Sequence, residues 1–164
     1  MRRPMSRWIT AASLALASLA TVTAASAQET QAAATVPGLV ATPVEGSVHQ
    51  VAGRFADNVR TSGMTIFARI DHRQGAMSRD MAMLPNEVIV FGNPKTSTPL
   101  MQCAATAGID LPMKALIWQD SDGQTWLGYD DPQWIATRHG VGDCPAVAPL
   151  SREMQALVEA TAER

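Results

Sequence analysis

Several features that would point straight to a chemistry are missing from this chain of 164 residues. It has only two cysteines, and they form no C-x-x-C pair, which removes a thioredoxin-type redox role. Its histidines, His49, His72 and His139, lie too far apart in sequence for a compact zinc triad. G-x-x-x-x-G-K-[ST] is absent, so there is no Walker A phosphate loop. G-x-S-x-G is absent as well, and no serine or cysteine has a recognisable base partner in sequence. A triad assembled in space stays open. There is no excess of basic residues, since 13 Lys and Arg face 15 Asp and Glu. The electrostatic footprint of a nucleic-acid binder is therefore lacking.

What is present begins with an address. Met1 to Arg7 carries three arginines, Trp8 to Thr23 is uncharged and apolar or small, and Ala25-Ser26-Ala27 follows. These are the three parts of a secretory signal peptide, so residues 1–27 are expected to be removed after Ala27. The alternative is a membrane anchor, but a run of about 16 residues rich in Ala, Ser and Thr is short for a span. The residues flanking Arg2-Arg3 give little support to twin-arginine export. No cysteine follows the apolar run closely, which argues against a lipid anchor. The expected location is periplasmic or secreted, with no membrane association after cleavage. Losing Arg2, Arg3 and Arg7 leaves a mature chain near −5, a balance that favours solubility and says little about fold. Cys103 and Cys144 both lie in the mature part. In an oxidising compartment an even count suggests a disulfide, with two buried free thiols as the alternative.

Periodicity then gives an order of elements. Residues 28–37 read as a linker, 38–140 as one domain, and 141–164 as a C-terminal loop and helix. Leu39, Val40 and Val44 suggest a first strand. Ser47 with Gln50 forms a capping box ahead of a helix that Gly63 closes. Thr65 to Ile70 alternates as a strand, with Ile66, Ala68 and Ile70 expected on one face. Gln74 to Met83 reads as a short helix, and Glu87 to Phe91 as a central strand. Thr98-Pro99 marks a helix start and Gly108 its end. Met113 to Gln119 and Gln124 to Tyr129 form a hairpin around Asp120-Ser121-Asp122-Gly123. Asp131-Pro132 starts a helix that Gly140 stops, and Ser151 to Arg164 forms the last one. The order β-α-β-α-β-α-β-β-α plus a C-terminal helix predicts a single α+β domain: a mostly antiparallel sheet with helices on one face.

Five motifs follow one another along this pattern: Phe67-Ala68-Arg69-Ile70-Asp71-His72, Phe91-Gly92-Asn93-Pro94-Lys95, Thr98-Pro99-Leu100-Met101, Asp110-Leu111-Pro112 and Tyr129-Asp130-Asp131-Pro132. From about Leu39 to Gly140 the chain resembles the domain of unknown function 302 family. The resemblance implies a small α+β fold, often a homodimer, and implies no activity or cofactor. Ser97 departs from the family, where a glycine is common. So do Met77, Met81 and Met83, and the cysteine pair looks particular to this chain.

The most sharply punctuated stretch, Phe91 to Gln102, runs from a strand into a helix. Backbone N–H groups between Gly92 and Thr98, with Lys95 beside them, suit a small anionic or polar ligand. The same side chains, Asn93 and Thr98 among them, also suit plain capping of their own backbone. Asp71 and His72 end a strand, where Asp71 either orients His72 as a base or ligand or caps the next helix. Met77, Met81 and Met83 supply thioethers suited to Cu(I), or fill a core. His139, at a helix end, reads as a favourable charge there. Trp118, Trp126 and Trp134 belong to the core or line a groove or dimer face.

The expectation is an exported binding or accessory module, with Asp71, His72, Asn93, Lys95 and Thr98 around its ligand. A copper-handling protein using the three methionines is the alternative. A hydrolase-like enzyme of unknown substrate is held last.

Overall fold

The computed structural model describes residues 36–163. The expected signal peptide at 1–27 and most of the linker lie outside the described residues. The elements are β1 (Leu39–Val44), α1 (Val48–Thr61), β2 (Thr65–Asp71), α2 (His72–Met77), β3 (Asn86–Gly92), α3 (Pro94–Cys103), a 3-10 turn (Ala105–Ile109), β4 (Met113–Gln119), β5 (Thr125–Asp130), α4 (Pro132–Arg138) and α5 (Val147–Ala162). The strands form one five-stranded sheet in the order β1-β5-β4-β3-β2, antiparallel at every pairing. The domain is α+β, as its sequence pattern predicts.

Local chemistry accounts for most of the boundaries. The Asp120 carboxylate accepts from the N–H groups of Asp122 and Gln124, at 3.0 and 2.9 Å, and Gly123 takes a positive φ of 85°. This closes the β4–β5 hairpin with Trp118 opposite Trp126. Ser47 and Gln50 cap each other's backbone at the start of α1. Asp131 caps α4 ahead of Pro132.

Helices α1 and α5 cover one face of the sheet. Val51, Phe55 and Val59 from α1 and Leu150, Met154 and Leu157 from α5 are buried against Ile89, Phe91, Ala115, Ile117 and Leu127. Phe55 meets Phe91 edge-to-face, with centroids 5.1 Å apart. Each of the larger side chains contributes roughly 1.5–3 kcal/mol by leaving water. A disulfide joins Cys103, at the end of α3, to Cys144, ahead of α5, with 6.2 Å between Cα atoms.

Four elements differ from expectation. Helix α3 starts at Pro94, not after Thr98, because Asn93-Pro94 offers the same cap-plus-proline signal five residues earlier. Pro99 consequently sits inside the helix, where it cannot donate a backbone bond. The Gly108 region forms the 3-10 turn instead of ending α3. Helix α2 stops at Met77, and the segment that follows turns through Asp80 at a positive φ of 57°. Helix α5 begins one turn early, at Val147.

Strand β2 carries a bulge. Ile66 pairs with Phe91 and Ala68 with Val90, leaving Phe67 as the extra residue. A bulge breaks strict alternation. Ile66 thus packs on the core with Arg69 on the same side, while Ala68 and Ile70 share the opposite face with Val88 and Val90.

Candidate functional site

The strand-to-helix turn after β3 forms one wall of a cleft of about 220 Å³. Gly92, Asn93, Ser97 and Thr98 line it from the turn and α3, joined by Met101 deeper in α3 and by Leu111-Pro112 ahead of β4. Phe67, the extra residue of the bulge, forms the remaining wall and is 54% exposed. The lining is mostly apolar, with hydroxyls and one amide at the turn.

The turn spends its polar groups on its own backbone. Asn93 Oδ1 accepts from the Lys95 N–H at 3.0 Å. The Asn93 carbonyl accepts from the N–H groups of Thr96 and Ser97 and from both of their hydroxyls at 3.0 Å. Pro94 has no N–H to offer. The first-turn donors are therefore consumed by the cap itself. Lys95 is exposed and does not line the cleft.

Asp71 and His72 lie elsewhere. Thr65 pairs with Gly92 and Asp71 with Glu87, so Asp71 and Gly92 occupy opposite ends of the β2–β3 ladder, roughly 20 Å apart at about 3.3 Å per residue. Asp71 caps α2, accepting from the Gln74 N–H at 2.9 Å, and His72 is the exposed first residue of that helix. The expected ligand set thus divides. Asn93 and Thr98 share the cleft, whereas Asp71 lines a separate polar recess of about 190 Å³ with His49, Arg73 and Glu87. Within that recess Glu87 is already paired to Arg69 at 2.6 Å.

The three methionines are not core. Met77, Met81 and Met83 are 60%, 57% and 41% exposed, and α2 buries no residue at all. Among the described residues no cluster of three or more His, Cys, Asp or Glu suits a metal ion.

One constellation escaped the sequence reading. His139 Nε2 lies 2.8 Å from Asp110 Oδ2, and its Nδ1 lies 2.9 Å from the Thr106 hydroxyl. Arg138 binds the other Asp110 oxygen at 2.7 Å. Asp110 and His139 are 29 residues apart, so no local motif announces them. The group ties the end of α4 to the 3-10 turn. At the β4–β5 turn, the Trp126 indole N–H donates to Asp120 Oδ2 at 2.7 Å. That bond, with backbone N–H donors, holds the Asp120 carboxyl below its ordinary value of 3.8. Burial, with the negative Asp131 and Glu159 nearby, raises the Tyr129 phenol above its ordinary 10.0.

A five-stranded antiparallel sheet with α1 and α5 on one face and an apolar cleft at a strand-to-helix corner defines a small α+β domain. The chain belongs to the family described as domain of unknown function DUF302, whose model matches residues 40–161. Its fold is similar to that of an uncharacterised conserved DUF302 protein from Bacillus stearothermophilus, with a TM-score of 0.69 at 13% identity, covering 77% of this chain and 99% of that one. Over 105 residues, 64% of this chain, it is 43% identical to fluoride-specific ion channel FluC 1 of Brucella suis biovar 1 (strain 1330), covering 41% of that protein. It matches fluoride-specific ion channel FluC 2 of Brucella melitensis biotype 1 at the same identity and length, covering 39% of it. The chain thus spans about two fifths of the length of these relatives.

Proposed function

We propose that this protein is an exported accessory module that binds a small apolar or amphipathic group in the cleft between Phe67, the Gly92–Thr98 turn and Pro112. That group is either a free ligand or a side chain presented by a partner protein. The observation that carries the reading is the lining of the cleft: apolar walls with no free first-turn N–H donor. Its volume of about 220 Å³ falls below the 300–1,000 Å³ of drug-sized sites, which fits an aromatic ring or a short aliphatic group. The Cys103–Cys144 bridge supports an oxidising compartment. An accessory role agrees with the occurrence of a similar region as part of longer proteins, including those named as ion channels.

The test is an NMR titration with indole as probe. Shifts should centre on the amides of Asn93 and Ser97. Gly92→Val, which fills the cleft floor, should abolish them, and Lys95→Ala should leave them unchanged. Indole shifts that survive Gly92→Val, or that centre on Asp71, would place the site elsewhere.

A second reading, copper handling, draws on the exposure of Met77, Met81 and Met83, which leaves three thioethers open to a soft cation. Anaerobic Cu(I) titration against the triple Met→Leu variant decides it, and equal affinities would remove it.

A further inference from the structure

A groove of about 240 Å³ lies between α5 and the edge strand β1. Tyr129 of β5, 6% exposed, lines it. Val40 pairs with Tyr129 across the β1–β5 ladder, and Thr42, two residues on, shares its face. The opposite wall is one stripe of α5, where Gln155, Val158, Glu159 and Ala162 recur at helical spacing. We propose that this groove binds a small primary aliphatic amine as its ammonium cation. The Tyr129 oxygen and the Glu159 carboxylate accept from the nitrogen, and the alkyl tail lies on Val40 and Val158. The groove shares no residue with the Phe67 cleft and does not rest on that reading.

The Tyr129 hydroxyl is a polar atom with no hydrogen-bond partner among the described residues. It is not sealed either, since Arg54 Nε is the one described side-chain atom that is both enclosed and unbonded. The hydroxyl of a side chain that is otherwise buried is thus left open toward the groove. A hydroxyl withdrawn from most of its water and given no bond in return is costly. A guest that bonds to it removes that cost.

Charge decides which guest. Burial first, then the negative Asp131 and Glu159, hold the phenol above its ordinary value of 10.0. The hydroxyl therefore keeps its proton at neutral pH, and two carboxylates set the sign of the potential around it. No lysine or arginine lines the groove. An anionic guest is repelled by that potential, and a cation is drawn to it. A primary ammonium carries three donors on one nitrogen. The groove offers three acceptors: the Tyr129 oxygen, the Glu159 carboxylate and the Gln155 amide oxygen. Bonds from an ammonium to such a carboxylate are stronger than neutral ones.

The walls set the size and kind of the tail. Val40 is 39% exposed, and a short alkyl chain laid on it takes that apolar surface out of water. A groove of about 240 Å³ is smaller than drug-sized sites, which limits the tail to a few carbons. An extended peptide is a poorer guest, because Pro43 lies within β1 and proline on an edge strand blunts strand addition.

An NMR titration of the whole chain at neutral pH, with n-butylammonium chloride at constant ionic strength, tests the site. Tyr129 is the chain's one tyrosine, so its ring resonances report on the groove without ambiguity. Saturable shifts are expected there and at the amides of Val40, Val158 and Glu159. 1-Butanol, with the same tail and no charge, should bind several-fold more weakly, and butyrate should cause no shift. Glu159→Gln, at an exposed position, should weaken butylammonium several-fold. Tyr129→Phe removes only an unbonded hydroxyl, so it should fold as the wild type does and also bind more weakly. Should Tyr129→Phe fail to fold, Glu159→Gln decides alone. Unchanged affinity in either folded variant, or an equal response to 1-butanol, overturns the proposal. So does a Tyr129 shift no larger than that of the exposed Asp122 amide, which marks diffuse attraction of a cation to an acidic chain.

Discussion

Trp118 occupies the space above Gly128 that a side chain would need. A Cβ at Gly128 would stand 3.0 Å from the Trp118 ring and 3.1 Å from the Val40 carbonyl oxygen. The ring could shift, but the carbonyl belongs to the β1–β5 ladder and cannot. Gly128→Ala therefore overpacks the sheet face away from α1 and α5. It should destabilise the fold by about 1–3 kcal/mol, read as a lower urea midpoint with an unchanged slope. A neutral outcome would mean that Trp118 does not lie over β5 in solution.

Arg69 and Glu87 form an asymmetric ion pair on the helix side of the sheet. Their side chains are 33% and 9% exposed, at 2.6 Å. Removing the cation leaves a carboxylate buried without its partner, whereas removing the anion leaves a guanidinium that still reaches water. Arg69→Ala should cost about 3 kcal/mol, and Glu87→Gln about 1 kcal/mol. Chemical denaturation of both variants checks the order, and equal losses would contradict the burial asymmetry.

The Cys103–Cys144 bridge closes a loop over a sequence separation of 41 and holds the start of α5 to the end of α3. Reduction, or replacement of both cysteines by serine, should lower stability by about 4 kcal/mol in the chain-entropy view. The measurement is guanidinium unfolding with and without reductant. The serine pair should show no further loss on reduction.

The parts of this molecule legible in its sequence are those that depend on residues a few positions apart. Ser47 with Gln50, Asp131 with Pro132, and Asp120 through Gly123 each satisfy backbone donors within one turn. Alternation along Thr65–Ile70 and the continuous apolar run of Val88–Phe91 mark β2 and β3 for the same reason. The α3 start was misplaced because Asn93-Pro94 and Thr98-Pro99 are equivalent signals, and nothing local ranks them. The bulge at Phe67 is invisible to a period-2 pattern, since one extra residue exchanges the faces of those that follow. The cleft was legible in part: Asn93 and Thr98 line it, but the anion chemistry expected of the turn depended on N–H groups that Asn93 takes for itself. The Asp110–His139 contact and the Tyr129 groove belong to tertiary arrangement, on which spacing is silent.

Asp120 makes the β4–β5 hairpin sensitive to acid. Its carboxylate accepts from the Trp126 indole and from the backbone of Asp122 and Gln124, and these bonds lower its pKa below 3.8. Because the folded value is depressed, the stability it adds is present above the unfolded value and is lost as pH falls through the folded one. The Trp126 indole N–H resonance should therefore move with a midpoint below 3.8, and Asp120→Asn should remove that transition, leaving the indole shift flat through the same range. The neighbouring Trp118 supplies a control, because its ring stacks on Trp126 but has no bond to Asp120 among the described contacts. Its resonance should follow the same midpoint only as far as the stack itself loosens. A Trp126 midpoint at or above 3.8 would mean that the indole bond does not favour the ionised carboxyl, and the hairpin would then owe its acid response to another group.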